Sequence, residues 1–439
     1  MGGEQEMSPE TIGIIGIIAL LLLFLFRVPV SVSLIIVGTV GLAIIRDWDS
    51  ALVQLGTTPF STASSYSLSV IPLFILMGMF LSYSGFGHDL YTAVDSWIGH
   101  VKGGLAMTTI GTSALFSAIS GSVNATTATM ARISLPEMKK YRYDDGLSTS
   151  CVAAGGTLGI LIPPSVILVL YGILTMEPIG KLLIAGLVPG LLQMVLFMAA
   201  IYVMVSRNPS LAPVTEKKPL NVKLKSLNSV WPFFLLFAIS IGGIYFGFFT
   251  PTEAGGVGAF GAFLLAVLTR RLSWEDFKKS LNETTRLTAA IFFILIGADI
   301  FSKFLALSKI PVAITGFVSE LELPAMVILV FILIAYFILG LFLEGIAIFV
   351  LTLPVVYPLI TMLGFDGVWF GVVMIFVMNI GLLTPPLGLS VYIISGVAKD
   401  VPIQRIFKGV VPMLFMMILC LALIVIFPEI VTFLPDFMK

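Results

Sequence analysis

Apolar residues along this chain come in long blocks, and polar residues gather in short interruptions between them. Runs such as 12–26, 231–249 and 413–427 contain no charged residue. A bilayer core about 30 Å thick is crossed by about 20 apolar helical residues, and blocks this long and numerous cannot all be enclosed in one soluble core. The pattern predicts crossing helices near 12–26, 28–45, 67–84, 146–175, 182–205, 230–249, 251–268, 286–308, 371–398 and 409–428. Two further apolar regions, about 103–131 and 323–362, are interrupted at Ser120-Gly121-Ser122 and at Glu344-Gly345. That is the pattern of a helical hairpin that enters and leaves the membrane on the same side. The fold class is therefore an all-α polytopic membrane protein.

The blocks also repeat. Residues 159–165 and 381–387 each place a Pro-Pro pair four residues after a glycine: Gly159 before Pro163-Pro164, and Gly381 before Pro385-Pro386. In register with these, Pro29 matches Pro251, 74–78 matches 293–297, Pro178 matches Pro402 and Pro189 matches Pro412. The expected organisation is a first repeat over 1–205 (hairpin about 103–131, broken helix 146–175), a polar linker over 206–229 with Pro209, Pro213 and Pro219, and a second repeat over 230–439 (hairpin about 323–362, broken helix 371–398). Helix breaks at corresponding places in two apolar halves are a sequence pointer to a transporter's binding site.

Charge placement orients the repeats. The 24 Lys and Arg balance 24 Asp and Glu, so nucleic acid is not an implied partner. Glu4, Glu6 and Glu10 precede the first block and Arg27 follows it, which reads as an uncleaved span with its N-terminus outside. Basic clusters at Lys139, Lys140 and Arg142, in the linker, at Arg270, Arg271, Lys278 and Lys279, and at Lys399, Arg405 and Lys408 then fall on one side, the cytoplasmic side by the positive-inside rule. The loop at 361–367 has no Lys or Arg. The first hairpin is thus expected to enter from the cytoplasm and the second from outside, an inverted repeat with both termini periplasmic.

Three kinds of residue carry candidate chemistry. Ser117, Ser120, Gly121, Ser122, Asn124, Thr126, Thr127 and Thr129 gather hydroxyl, amide and backbone oxygens at an interrupted hairpin; their competing role is close helix packing. The Pro-Pro breaks remove amide donors, so the carbonyls of Gly159 and Ile162, or Gly381 and Thr384, are expected to lose partners and face a cation, while the half-helix beyond attracts an anion. A plain proline kink is the simpler alternative. Among acids at membrane depth, Glu344 at the second tip is the strongest candidate. Glu253 has a competing reading as an N-terminal helix charge, and Asp299 as a partner of Lys303 one turn away. Cys151 and Cys420 read as small hydrophobes, His88 and His100 lie near loops, and no metal-ligand spacing, nucleophile-base arrangement or phosphate-binding loop occurs. No organic cofactor is expected, nor an enzyme.

Residues 120–130, 155–165, 185–190, 251–254 and 384–388 together resemble the large membrane subunit of tripartite ATP-independent periplasmic (TRAP) transporters, and the resemblance covers nearly the whole chain. It implies sodium-coupled import of a small organic acid across a bacterial inner membrane, in an elevator mechanism where a transport domain slides against a scaffold. It implies two partners, a periplasmic substrate-binding protein and a small four-helix membrane subunit, the latter expected as a separate chain. By family pattern one sodium site falls on Ser117, Ser120, Gly159, Ile162 and Pro163, and its pseudo-symmetric partner on Gly340, Gly381, Thr384 and Leu387. Substrate is expected between the tips, near Ser122, Asn124, Thr126, Pro164, Glu344 and Pro386. The family often carries aspartate where this chain has Glu344. The alternatives are a stand-alone ion-coupled dicarboxylate carrier of related architecture, which needs no binding protein, and a channel, for which the apolar spans offer no continuous polar pore.

Overall fold

The computed structural model describes residues 7–343, 345–386 and 388–438, and the regular structure among them is helical. The chain begins with α1 (Pro9–Leu25), α2 (Val30–Ile45), α3 (Trp48–Ala63), α4 (Val70–Tyr83) and α5 (Phe86–Ile98). The first hairpin is α6 (Gly104–Ser120) and α7 (Val123–Lys140), and the first broken span is α8 (Asp145–Thr157) and α9 (Val166–Thr175). There follow α10 (Ile179–Ala185), α11 (Leu187–Arg207), α12 (Leu220–Tyr245), α13 (Pro251–Leu268), α14 (Trp274–Leu307) and α15 (Ile310–Glu320). The second hairpin is α16 (Ala325–Gly340) and α17 (Gly345–Met362), the second broken span α18 (Gly367–Gly381) and α19 (Leu389–Val397), and then come α20 (Ile403–Ile426) and α21 (Glu429–Asp436). Among the described residues seven helical stretches are long and apolar enough to cross a membrane.

Hydropathy located the apolar part of the long apolar helices and missed the polar turns that continue several of them. Helix α12 begins at Leu220, inside the expected linker, α14 begins at Trp274 and not near 286, and α7 runs on to Lys140. Backbone hydrogen bonding continues through polar residues as readily as apolar ones, so helix ends are set by caps and breakers. The amphipathic or short helices α3, α5, α15 and α21 have no long apolar block and went unpredicted. The expected span at 182–205 is two helices that meet at Gly186, where an added methyl would overlap the Leu161 carbonyl.

The chain forms two compact units, each drawn from both halves of the sequence. The smaller comprises Met1–Ser69, Thr285–Ile332 and Ile346–Gly367. Its helices approach through glycine: Gly13 lies against Ser308, Gly38 against the Phe301 backbone, and Gly16 and Gly41 on the ring of Phe304. Small residues let helix backbones come close, which gives dispersion contacts where lipid supplies no hydrophobic drive.

The larger unit comprises Val70–Thr284, Leu333–Gly345 and Val368–Lys439. Its centre is α8, which is buried from Gly146 to Thr157 and packs against α6, α7, α19 and α20. Gly146 and Gly409 bring α8 and α20 nearly into backbone contact. At the polar end of that crossing the Arg405 guanidinium pairs with Asp144 at 2.8 Å and Asp145 at 3.4 Å. Asp144 also caps α8, accepting the Leu147 N–H at 3.0 Å.

Candidate functional site

The first hairpin turns within two residues. Gly121 adopts φ +57°, a left-handed conformation that costs a residue with a Cβ roughly 1–2 kcal/mol, and ends α6 by donating its N–H to Ser117 O at 2.9 Å. Ser122 then caps α7 by accepting the Ala125 N–H at 3.4 Å. Ser120 Oγ lies 2.7 Å from Thr126 Oγ1 and accepts the Ser122 N–H at 3.4 Å, which ties the end of α6 to the first turn of α7. Ser117 Oγ, fully buried, donates its proton to Ser113 O at 2.6 Å and keeps its lone pairs.

The first break follows Thr157. A short turn of 3-10 helix, Leu158–Ile160, carries the chain on, and the N–H groups of Leu161 and Ile162 both go to Leu158 O at 3.1 Å. Pro163, four residues beyond Gly159, has no N–H to return to the Gly159 carbonyl. Ser165 starts α9, accepting the Leu168 N–H at 3.3 Å. The Pro163-Pro164 peptide is cis, as is Pro385-Pro386.

Tip and break are packed on each other through glycine. A methyl added at Gly121 would overlap the Pro164 carbonyl oxygen, and one added at Gly159 would stand 2.8 Å from the Ser122 carbonyl. Thr127 Oγ1 and Ser113 Oγ press on Gly156 and Gly155 in the same way. The structure therefore brings Ser117, Ser120, Gly159, Ile162 and Pro163 into one neighbourhood. All are buried except Ser120, which is half-buried. Hydroxyl and carbonyl oxygens without a net charge, on a rigid backbone, form a donor set that suits a hard monovalent cation.

The second neighbourhood is built in the same manner. Gly381 ends α18 with its Cβ position 2.5 Å from the Gly340 carbonyl carbon, so the second hairpin's incoming arm rests on the second break. The Leu383 N–H goes to Ile380 O at 3.2 Å and the Thr384 N–H to Gly381 O at 3.1 Å, while Thr384 Oγ1 donates to Ile380 O at 2.7 Å. The Gly381 carbonyl was expected to lose its partner; it regains one by shortening to an i+3 bond and keeps one lone pair. Gly340 and Gly381 are buried and Thr384 half-buried. Leu387 and Glu344 lie outside the described residues.

The expected substrate contacts are dispersed. Ser122 is half-buried at the tip, and Asn124 is exposed in the first turn of α7. Thr126 is fully buried with its hydroxyl on Ser120, and Pro164 is buried beneath Gly121. Pro386 is exposed. Of the other acids, Asp299 is held by Lys303 Nζ at 2.8 Å in the smaller unit, and Glu253 closes a capping box with Thr250 at the start of α13. Both take their structural roles.

Sequence reasoning missed Asn379. It is fully buried in α18, and its Nδ2 donates to Thr157 O, the last carbonyl of α8, at 2.7 Å. Its one sequence signal was a lone amide in an otherwise apolar helix.

Residues 17–430 match the family model described as "Tripartite ATP-independent periplasmic transporter, DctM component". The chain belongs to this family. As a TRAP large permease it is 35% identical over 382 residues to the C4-dicarboxylate TRAP transporter large permease protein DctM of Pseudomonas aeruginosa, covering 86% of this chain and 88% of the relative. It is 32% identical over 373 residues to the sialic acid TRAP transporter large permease protein SiaM of Vibrio cholerae, covering 85% and 87%. The permease also shares its fold with the crystal structure of the YdaH transporter of Alcanivorax borkumensis, with a TM-score of 0.62 at 14% identity over 87% of this chain and 90% of that one.

Proposed function

We propose that this TRAP large permease imports a small organic acid anion together with sodium, receiving the substrate from a periplasmic binding protein and working beside a separate small membrane subunit in a bacterial inner membrane. The observation that carries the reading is the first hairpin tip seated on the first break, where the Gly159 carbonyl has no amide donor four residues on and the hydroxyls of Ser117 and Ser120 stand in the same neighbourhood. The second neighbourhood, at Gly340, Gly381 and Thr384, offers a second ion position of the same kind. The relatives named for C4-dicarboxylates and sialic acid favour a carboxylate as substrate.

Sodium in excess of substrate charge would drive uptake. One net charge crossing 100 mV is worth about 2.3 kcal/mol, against about 1.4 kcal/mol per tenfold accumulation. Every described residue of both candidate ion positions belongs to the larger unit, which supports that unit as the moving carrier of an elevator and the smaller as its scaffold. The paired hairpins and breaks support a repeat, and the placement of the basic clusters supports its inversion with periplasmic termini.

The test is reconstitution of the permease with its small subunit in liposomes, with binding protein loaded with candidate acids outside. Uptake that requires both an inward sodium gradient and the binding protein is expected. Sodium-independent uptake would overturn the coupling, and uptake without the binding protein would favour the stand-alone carrier.

A further inference from the structure

We infer that Asn379 couples the two candidate sodium positions, so that an ion at one raises the affinity at the other; the inference rests on the proposed sodium coupling. The bond it makes joins the two breaks. Thr157 is two residues before Gly159, and Asn379 is two residues before Gly381 and next to Met378, whose backbone packs on Gly340.

The break leaves room for this bond. In an uninterrupted helix the Thr157 carbonyl would accept the Leu161 N–H, but that N–H is drawn to Leu158 O at 3.1 Å. The 3-10 turn Leu158–Ile160 leaves the Thr157 carbonyl an i+3 donor alone, and its second lone pair takes Asn379 Nδ2 from another helix, at 2.7 Å, in a fully buried environment. Because a carbonyl only accepts, the amide orientation is set, and Oδ1 points the other way. Oδ1 is itself buried, with no hydrogen-bond partner among the described residues. Held at one end and unpaired at the other, the side chain follows Thr157 without breaking a second bond.

An ion drawing in the Gly159 carbonyl shifts the short 3-10 turn and with it the Thr157 carbonyl. That shift passes through one rigid side chain to the backbone of α18 beside Gly381. By linkage, an ion at Gly381 acts on Gly159 to the same extent. Asn379 is thus a positioning residue: it touches neither ion, and it makes the second ion bind to a break that the first has already set.

The experiment is a sodium titration of binding-protein-dependent uptake by the reconstituted permease with its small subunit, for the native protein, Asn379→Asp and Asn379→Leu. Leu keeps the branching and removes both the donor and the unpaired oxygen; Asp keeps the shape and, assayed at a pH where it is ionised, has no donor. A Hill coefficient clearly above that of two independent sites is expected for the native protein, falling to the independent-site value in both variants, with half-saturating sodium raised about 5–150-fold. A role in packing alone would lower the maximal rate and leave the Hill coefficient unchanged, which would overturn the inference. A native protein that needs sodium without cooperativity would overturn it too, as would failure of both variants to accumulate as monodisperse protein, which would assign the bond to folding. Sodium-independent native uptake would instead overturn the coupling on which it rests.

Discussion

Gly121 and Pro164 stand so close that no side chain fits between them: a Cβ on the hairpin-tip glycine would occupy the space of the proline's carbonyl oxygen. The tip of the first hairpin is therefore seated directly on backbone that the first Pro-Pro pair has freed. Contact and conformation both demand glycine here, and the two demands are separable. Gly121→Ala is expected to reduce uptake at least tenfold, because backbone on one side must move. Gly85→Ala faces a similar positive φ of +76° with nothing within 4 Å among the described residues, and should lose only the roughly 1–2 kcal/mol of the strained conformation, with uptake retained. Equal losses in the two variants, measured at equal membrane abundance, would show that strain and not the Pro164 contact decides.

Ser120 and Thr126 share one hydrogen bond at 2.7 Å, yet only Ser120 belongs to the proposed ion position. Ser120→Ala should raise half-saturating sodium about tenfold, the loss of one ligand worth about 1.4 kcal/mol. Thr126→Val should cost about 1 kcal/mol of stability, the net value of a typical hydrogen bond, and leave sodium affinity nearly unchanged. Sodium titration and thermal unfolding in detergent separate the two. A larger sodium shift for Thr126→Val than for Ser120→Ala would move the ion position away from Ser120.

Asp144 ties the N-terminal end of α8 to Arg405. Burial alone would raise its carboxyl pKa, but the Arg405 guanidinium together with the Leu147 and Gly146 N–H groups outweighs burial and holds it below the usual carboxylate range. A carboxyl depressed in the folded state contributes stability that is present above its unfolded pKa of about 3.9 and is lost as pH falls through the folded value. Asp144→Asn should therefore unfold at lower temperature than the native protein at pH 7, with the gap closing as pH drops below about 4. The side chain is 28% exposed, so a deficit of about 1 kcal/mol is expected, not several. A gap that stays constant with pH would assign the stability to shape and not to charge.

Cysteine labelling maps the tip. Cys151 and Cys420 are both fully buried, so the native permease should react little with maleimide. Asn124→Cys, on exposed backbone of α7, should label readily and be protected by saturating substrate and sodium, whereas Thr126→Cys, at a fully buried position, should not label. Labelling of Asn124→Cys that substrate leaves unchanged would remove Asn124 from the substrate path.

Much of the architecture was legible because the bilayer enforces it. Apolar blocks must become helices, since lipid leaves no other way to satisfy the backbone, and an interruption at membrane depth must be paired by protein or line a cavity. Ser120-Gly121-Ser122, Pro163-Pro164 and Pro385-Pro386 announced their breaks by residue type alone, and the first hairpin and both broken spans formed where those residues stand. The pairing of Asp299 with Lys303 and the capping role of Glu253 were legible for a related reason, since both are local in the chain. Contacts between residues distant in the chain carried no such mark. The packing of Gly121 on Pro164 and of Gly340 on Gly381, the division into units built from both halves, and the bond from Asn379 to Thr157 depend on which helices become neighbours. Residue type determines where a helix must break; tertiary packing decides what answers the groups the break sets free, because a freed carbonyl accepts any donor the fold brings within reach.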